Sequence, residues 1–290
     1  MKLEKLALFS VYWMLPGVAI CCALFLVYVA SSSALKGTSA NQLRFVAWNI
    51  ESGGSDPHVI AEQLKDFQDY QVIALNEVAV AGIEIYRNAL GSKFESFVSA
   101  SGANDRLAIY WDSSRFTLLA KEEMGQYGDY RLNNGRHRSP IFVRLKDKVT
   151  GQRFIVMTNH LARRNKQLRK EQAVGLREWA RDSNESIIAM GDFNFDYSFK
   201  RSSGNASFSE FMKDGIWQWV KPNPLIDSNF SDSDGDGKDN YPDSMLDFVF
   251  LANGARAFRC HCSIVQREGD FPDDESTSDH RATELRLELN

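Results

Sequence analysis

Ile187-Ile188-Ala189-Met190-Gly191-Asp192-Phe193-Asn194 is the stretch whose reading decides the fold. Four apolar residues closed by a glycine read as a short strand buried on both faces. The run then meets Asp192 and Asn194. A carboxylate at the mouth of an apolar strand is costly unless it is paired or holds a metal.

The same pattern recurs outward along the chain. Residues 43–49 form a strand ending at Asn49, and Ser52-Gly53-Gly54 turns the chain after it. Asp56-Pro57 caps and opens a helix with Val59, Ile60, Leu64 and Phe67 on its apolar face. Residues 71–75 are a second buried strand, followed by Glu77, and residues 81–90 are a helix stopped by Gly91. Strands are predicted at 94–99, 106–111, 116–122, 140–145 and 154–159, the last two joined by a hairpin turn over 147–151. Residues 165–182 form a helix with Leu168, Ala173, Leu176, Trp179 and Ala180 inward. Arg169, Lys170, Arg177 and Arg181 lie on its wet side. The strand at 187–190 and strands at 245–251, 257–265 and 282–289 complete the set. The order predicts one α/β domain of two mixed sheets packed face to face, with helices outside.

Polar residues stand where these strands stop: Asn49, Glu77, His160, Asp192 with Asn194, Asp247 inside an apolar run, and Asp279-His280 before the last strand. Turn chemistry accounts for one such residue, not for all of them together. Carboxylates and an amide suit a hard divalent cation, Mg²⁺ or Mn²⁺, with Asn49, Glu77 and Asp279 as ligands. His280, oriented by Asp247, is placed to activate water. Asp192 and Asn194 orient the nucleophile and grip a phosphate, and His160 donates to a phosphoryl oxygen.

Read in order, Trp48-Asn49-Ile50-Glu51, Leu75-Asn76-Glu77-Val78, Arg138-Ser139-Pro140, Thr158-Asn159-His160-Leu161, Gly191-Asp192-Phe193-Asn194, Leu246-Asp247-Phe248-Val249 and Ser278-Asp279-His280 resemble the endonuclease/exonuclease/phosphatase superfamily, the deoxyribonuclease-I-like group. The likeness spans residues 43–290. It implies a four-layer sandwich and Mg²⁺-dependent hydrolysis of a phosphoester. Asn49, Glu77 and Asp279 fall at the metal, with Asp247 and His280 as the catalytic pair. It further implies Glu51 near a metal and Arg138 on a phosphate, although Arg138 also reads as an edge-strand charge. Two departures stand out. Asn76 replaces the usual glutamine before the metal glutamate, and residues 99–104 offer no glutamate to pair with His160.

Composition frames these expectations. The chain has 290 residues, 43% hydrophobic and 25% charged, with a formal net charge of −4, which argues against broad electrostatic capture of nucleic acid. The uncharged apolar run at 7–30, preceded by Lys2 and Lys5, reads as a signal peptide or a membrane anchor within residues 1–34. A linker follows at 35–41, and the domain occupies 42–290. The expected location is therefore outside the cytoplasm: secreted, periplasmic or membrane-anchored. Cys260 and Cys262 read as buried strand thiols, with a bridge as the alternative. His58, His137 and His261 read as surface or packing residues. The cluster Arg163, Arg164, Lys166, Arg169 and Lys170 reads either as a guide for a polyanion or as a solvated helix face.

Residues 232–243 place Asp232, Asp234 and Asp236 at positions one, three and five, Gly237 at six and Asp243 at twelve of a Ca²⁺-loop spacing. The other reading is an acidic flexible loop. The expected function is a monomeric extracytoplasmic phosphodiesterase with nucleic acid as first substrate. The alternatives are a phospholipid or sphingolipid phosphodiesterase, and a catalytically silent calcium-stabilised binding module.

Overall fold

The computed structural model describes residues 41–268, 270 and 276–289. The predicted signal or anchor, and the linker up to residue 40, lie outside the described residues. Among the described residues, no helix is long and apolar enough to cross a membrane.

β1 (Gln42–Asn49) alternates as a strand buried on both faces must: Leu43, Phe45 and Ala47 point one way, Val46 and Trp48 the other. It pairs in parallel with β2 (Val72–Val78) and antiparallel with β14 (Thr283–Glu288). β3 (Phe94–Val98), β4 (Arg106–Asp112) and β13 (Arg259–Ile264) complete a six-stranded sheet in the order β13-β14-β1-β2-β4-β3. The second six-stranded sheet runs β11-β12-β10-β9-β8-β5. It is built from β5 (Phe116–Glu123), β8 (Ile141–Asp147), β9 (Arg153–His160), β10 (Ile187–Ser198), β11 (Trp217–Trp219) and β12 (Ser244–Ala252). A separate ribbon joins β6 (Gln126–Tyr127) and β7 (Tyr130–Arg131).

The two sheets meet through one core that includes Phe45, Ile109, Phe154, Val156, Met190 and Val249. Helices α1 (Pro57–Leu64) and α2 (Ile83–Leu90) cover the outer face of the first sheet, and α3 (Lys166–Asp182) and α4 (Ala206–Met212) that of the second. The result is the expected four-layer sandwich. Local chemistry places the helix ends. Asp56 accepts from the His58 amide with Pro57 at the first turn, and Asn165 accepts from the Leu168 amide. Gly91, at φ 92°, closes α2 in a conformation that a side chain would strain.

The structure departs from the sequence reading in several places, the β6–β7 ribbon among them. β10 does not stop at Met190 but runs to Ser198, through a register shift against β12 between Asp192 and Tyr197. The alternating Phe193, Phe195 and Tyr197 carry it on by burying themselves against α4 and β12. Neither α4 nor β11 was expected, because seven and three residues are too few to show a period. Arg169 and Arg177 are buried rather than wet. The chain folds over α3 so that Arg169 donates to the Ala162 and Arg163 carbonyls, and Arg177 to the Glu210 carbonyl.

Candidate active site

Strand register builds one side of the site. Across the second sheet Asp192 stands opposite His160 on β9 and opposite Asp247 on β12, so His160, Asp192 and Asp247 form a row at one end of the inter-sheet core. His160 Nε2 lies 3.3 Å from Asp192 Oδ2. His280 enters from the segment before β14, with its Nδ1 2.7 Å from Asp247 Oδ2. Trp48 holds that segment by donating Nε1 to the His280 carbonyl at 2.8 Å.

The first sheet supplies the facing side. Asn49 ends β1, and its amide donates to Glu77 Oε1 at 3.1 Å and to Asp192 Oδ2 at 3.2 Å. Glu51 accepts from the Asp279 amide at 3.0 Å. Glu51, Glu77 and Asn194 hold φ between 49° and 56°, a left-handed backbone rare outside glycine. At Glu77 this follows a register shift in the β2–β4 pairing, and at Asn194 the shift in β10, both bulges that re-aim a side chain. Asn76 ties the two sheets. Its Oδ1 accepts from the Asp192 amide at 2.9 Å, and its Nδ2 donates to Thr158 Oγ1 at 3.0 Å. The change from glutamine therefore falls on a buried strut between sheets.

Electrostatics follow from this crowding. Burial, then the Asp279 and Glu77 charges, push the Glu51 carboxyl up to about 7. Burial and the charge of Asp247 push Asp192 to about 7. Burial pulls His280 down, but Asp247, Asp279 and Asp192 outweigh it and raise the imidazole well above its ordinary value. Burial and the neighbouring Arg138 hold His160 well below its own. The oxygen donors of Asn49, Glu51, Glu77 and Asp279 suit a hard divalent cation, and the raised Glu51 and Asp279 carboxyls mark a place short of positive charge.

Arg138 is buried and committed. Its Nε donates to the His160 carbonyl at 3.1 Å and its Nη1 to Asp105 Oδ2 at 2.5 Å. Asp105 Oδ1 in turn lies 3.7 Å from His160 Nδ1. The carboxylate on the Nδ1 side of His160 is thus an aspartate, one residue beyond the 99–104 stretch that offers no glutamate. Burial raises its carboxyl to about 6. Asn194 accounts for both its nitrogens, its amide N–H going to Asp192 Oδ1 and its Nδ2 to the Leu161 carbonyl.

Elsewhere the basic cluster is largely spent on local pairing: Arg163 and Arg169 face Asp196, and Lys170 faces Glu210. Cys260 and Cys262 are free thiols on β13, and burial pushes the Cys260 thiol up to about 11. In the Asp-rich loop, Asp232, Asp234 and Asp236 bring ligand oxygens within 4.8 Å of one another, a grouping that does not include Asp243.

The chain matches the model of the Endonuclease/Exonuclease/phosphatase family over residues 46–280. Among solved structures, an endonuclease/exonuclease/phosphatase family protein of Bacteroides thetaiotaomicron is 17% identical with a TM-score of 0.63, covering 86% of this chain and 95% of that one. A mannosyl-6-phosphatase of the same organism is 16% identical at TM-score 0.61, covering 85% and 100%. D. rerio TDP2, complexed with a single strand DNA product, is 15% identical at TM-score 0.65, covering 86% and 99%. A comparison with curated proteins found no match. At such identities the likeness to solved structures is a likeness of fold.

Proposed function

The chain belongs to the endonuclease/exonuclease/phosphatase family, and from that premise we propose that it is an exported, Mg²⁺-dependent phosphodiesterase acting on nucleic acid. The observation that carries the reading is the His280–Asp247 contact of 2.7 Å, set in one row with Asp192 and His160 and facing Asn49 and Glu77 across the sheets.

Asn49, Glu51, Glu77 and Asp279 would hold the cation, which supplies positive charge for the phosphoryl oxygens and the leaving oxygen. His280, with Nδ1–H directed at Asp247, presents Nε2 as the base. Water attacks phosphorus, its proton passes to Nε2, and the bond from phosphorus to the leaving oxygen breaks. Neutral His160, its pKa held low, is suited to donate a hydrogen bond to a phosphoryl oxygen rather than to give up a proton. Asp192 faces the attacked phosphate, and Asn194 acts through it by donating its main-chain N–H to Asp192 Oδ1. Arg138 acts through His160 and Asp105, which it fixes.

Nucleic acid is placed first because a structural neighbour was captured with a DNA product. The aromatic run after Asp192, which a lipid-directed enzyme would expose, is buried at Phe193, Phe195 and Tyr197. The test is hydrolysis by the purified full-length chain of DNA, RNA, bis-p-nitrophenyl phosphate, a hexose 6-phosphate and choline phospholipid vesicles, with Mg²⁺ and with chelator. Cleavage of DNA or RNA that chelator stops is expected. Turnover of the monoester or the lipid alone would overturn the substrate, and no turnover the reaction.

The same proposal includes export by residues 1–34 and a structural Ca²⁺ on Asp232, Asp234 and Asp236. Fractionation of expressing cells tests the first, and recovery only in the cytoplasm would sink it. Calorimetric titration tests the second. A Ca²⁺ heat that disappears when the three aspartates become alanine is expected, and no heat in the wild-type chain would end the idea.

A further inference from the structure

The segment between β11 and the Asp-rich loop touches both members of the His280–Asp247 pair. Ser228, on this segment, is fully buried, and its Oγ makes three hydrogen bonds. It accepts from the Leu246 amide at 3.1 Å and the Asp247 amide at 3.2 Å, and it donates to Asp247 Oδ2 at 2.8 Å. A serine hydroxyl has one proton and two lone pairs. With both lone pairs facing backbone N–H groups, the proton is left to point at the carboxylate.

Asp247 Oδ2 is also the oxygen that receives His280 Nδ1. The carboxylate is therefore gripped at one atom by two donors. The backbone of the same segment holds the other partner. The Arg281 amide donates to the Ser228 carbonyl and the Phe230 amide to the Asp279 carbonyl, both at 2.8 Å, with Asn229 and His280 paired across the bridge. Ser228 thus sits on Asp247 through its side chain and on the chain carrying His280 through its carbonyl.

We infer that Ser228 is the positioning residue of the pair, holding Asp247 in the one orientation that keeps the proton on His280 Nδ1 and leaves Nε2 for water. The inference rests on the reading of His280 as the base. A residue that only filled space would leave the pair as it is when its hydroxyl is lost. Without the hydroxyl, Asp247 Oδ2 keeps a single donor, and the Leu246 and Asp247 amides lose their acceptor.

The test compares the full-length wild type with Ser228→Ala, Ser228→Cys and Ser228→Thr. Two readouts are taken: kcat and KM on bis-p-nitrophenyl phosphate, and the downfield proton resonance of His280 Nδ1. The cysteine variant leaves no cavity, its slightly larger sulfur being a weaker donor, so it remains informative where alanine compromises folding. Expected are a fall in kcat of about tenfold or more for alanine and cysteine with KM within about twofold, an altered Nδ1 resonance in both, and recovery towards wild type in threonine. Wild-type kcat and an unmoved resonance in a folded alanine or cysteine variant would overturn the inference, as would a threonine variant as slow as alanine. If the wild type hydrolyses nothing, the proposed reaction fails on its own, and the resonance still decides whether Ser228 positions His280.

Discussion

Both imidazoles are buried, but at His280 the charges of Asp247, Asp279 and Asp192 outweigh burial and raise it, whereas at His160 burial, helped by the neighbouring Arg138, holds it low. That asymmetry accompanies the roles proposed for them, base for His280 and hydrogen-bond donor for His160, and it sets the first prediction. His280→Ala and Asp247→Asn should each lower kcat by about a hundredfold or more while the circular dichroism stays that of the wild type. Wild-type turnover in His280→Ala would remove the base from the mechanism. Asp105→Asn should be milder, since an amide still accepts from Arg138 but no longer offers it a charge. A rise in KM larger than the fall in kcat is expected in steady-state kinetics, and an unchanged KM would separate Asp105 from substrate binding. At this scale the sequence was informative where an acidic side chain stood against an apolar run, as at Asp192 and Asp247, and where Ser278-Asp279-His280 preceded the last strand. It was silent on Asp105 and Ser228, which lie in loops, where a short polar residue looks like any turn former. Their contacts with His160 and Asp247 come from residues far along the chain.

Among the elements, the bulges do the positioning. β2 and β10 both break register where Glu77 and Asn194 adopt left-handed backbone, and Gly191 enters the second bulge at φ 128°. A Cβ on Gly191 would meet the Asn159 carbonyl at 2.5 Å and Asn76 Oδ1 at 2.7 Å. Gly191→Ala should therefore displace the inter-sheet strut and cost activity and stability together. Asn76→Ala removes the strut directly and leaves the buried Asp192 amide without a partner, at a cost of about 1–3 kcal/mol in urea unfolding. A smaller loss would mean that the sheets dock without it. Long apolar strands and capped helices were legible because burial on both faces and a Pro after Asp56 leave strong local signals. The extension of β10 was not. Its glycine and polar residues resemble a strand end, and only the aromatic packing against α4 and β12 shows that the strand goes on.

For the molecule as a whole, the crowded carboxyls tie stability to pH. Glu51 and Asp192, raised to about 7, bind protons in the folded state that the unfolded chain has already released. Such groups make stability fall as pH rises. His280, also raised, adds stability that is full below the unfolded imidazole value of 6.5 and lost as pH climbs through the folded value. His160, held low, acts the opposite way, but its effect is complete once pH exceeds 6.5. The metal-free protein should therefore lose melting temperature between about pH 6.5 and pH 8, and Mg²⁺ should flatten the slope by taking the place of the protons. A flat profile without metal would show that these groups do not face one another as described. Asn76 and Asn49 have a consequence of another kind. Because each reaches from one sheet to the other, the residues of the proposed catalytic site are divided between the halves of the sandwich, and they come together only after the halves have docked. During refolding, recovered turnover is then a clock for that docking event, trailing the return of strand signal by the time the two sheets take to find each other.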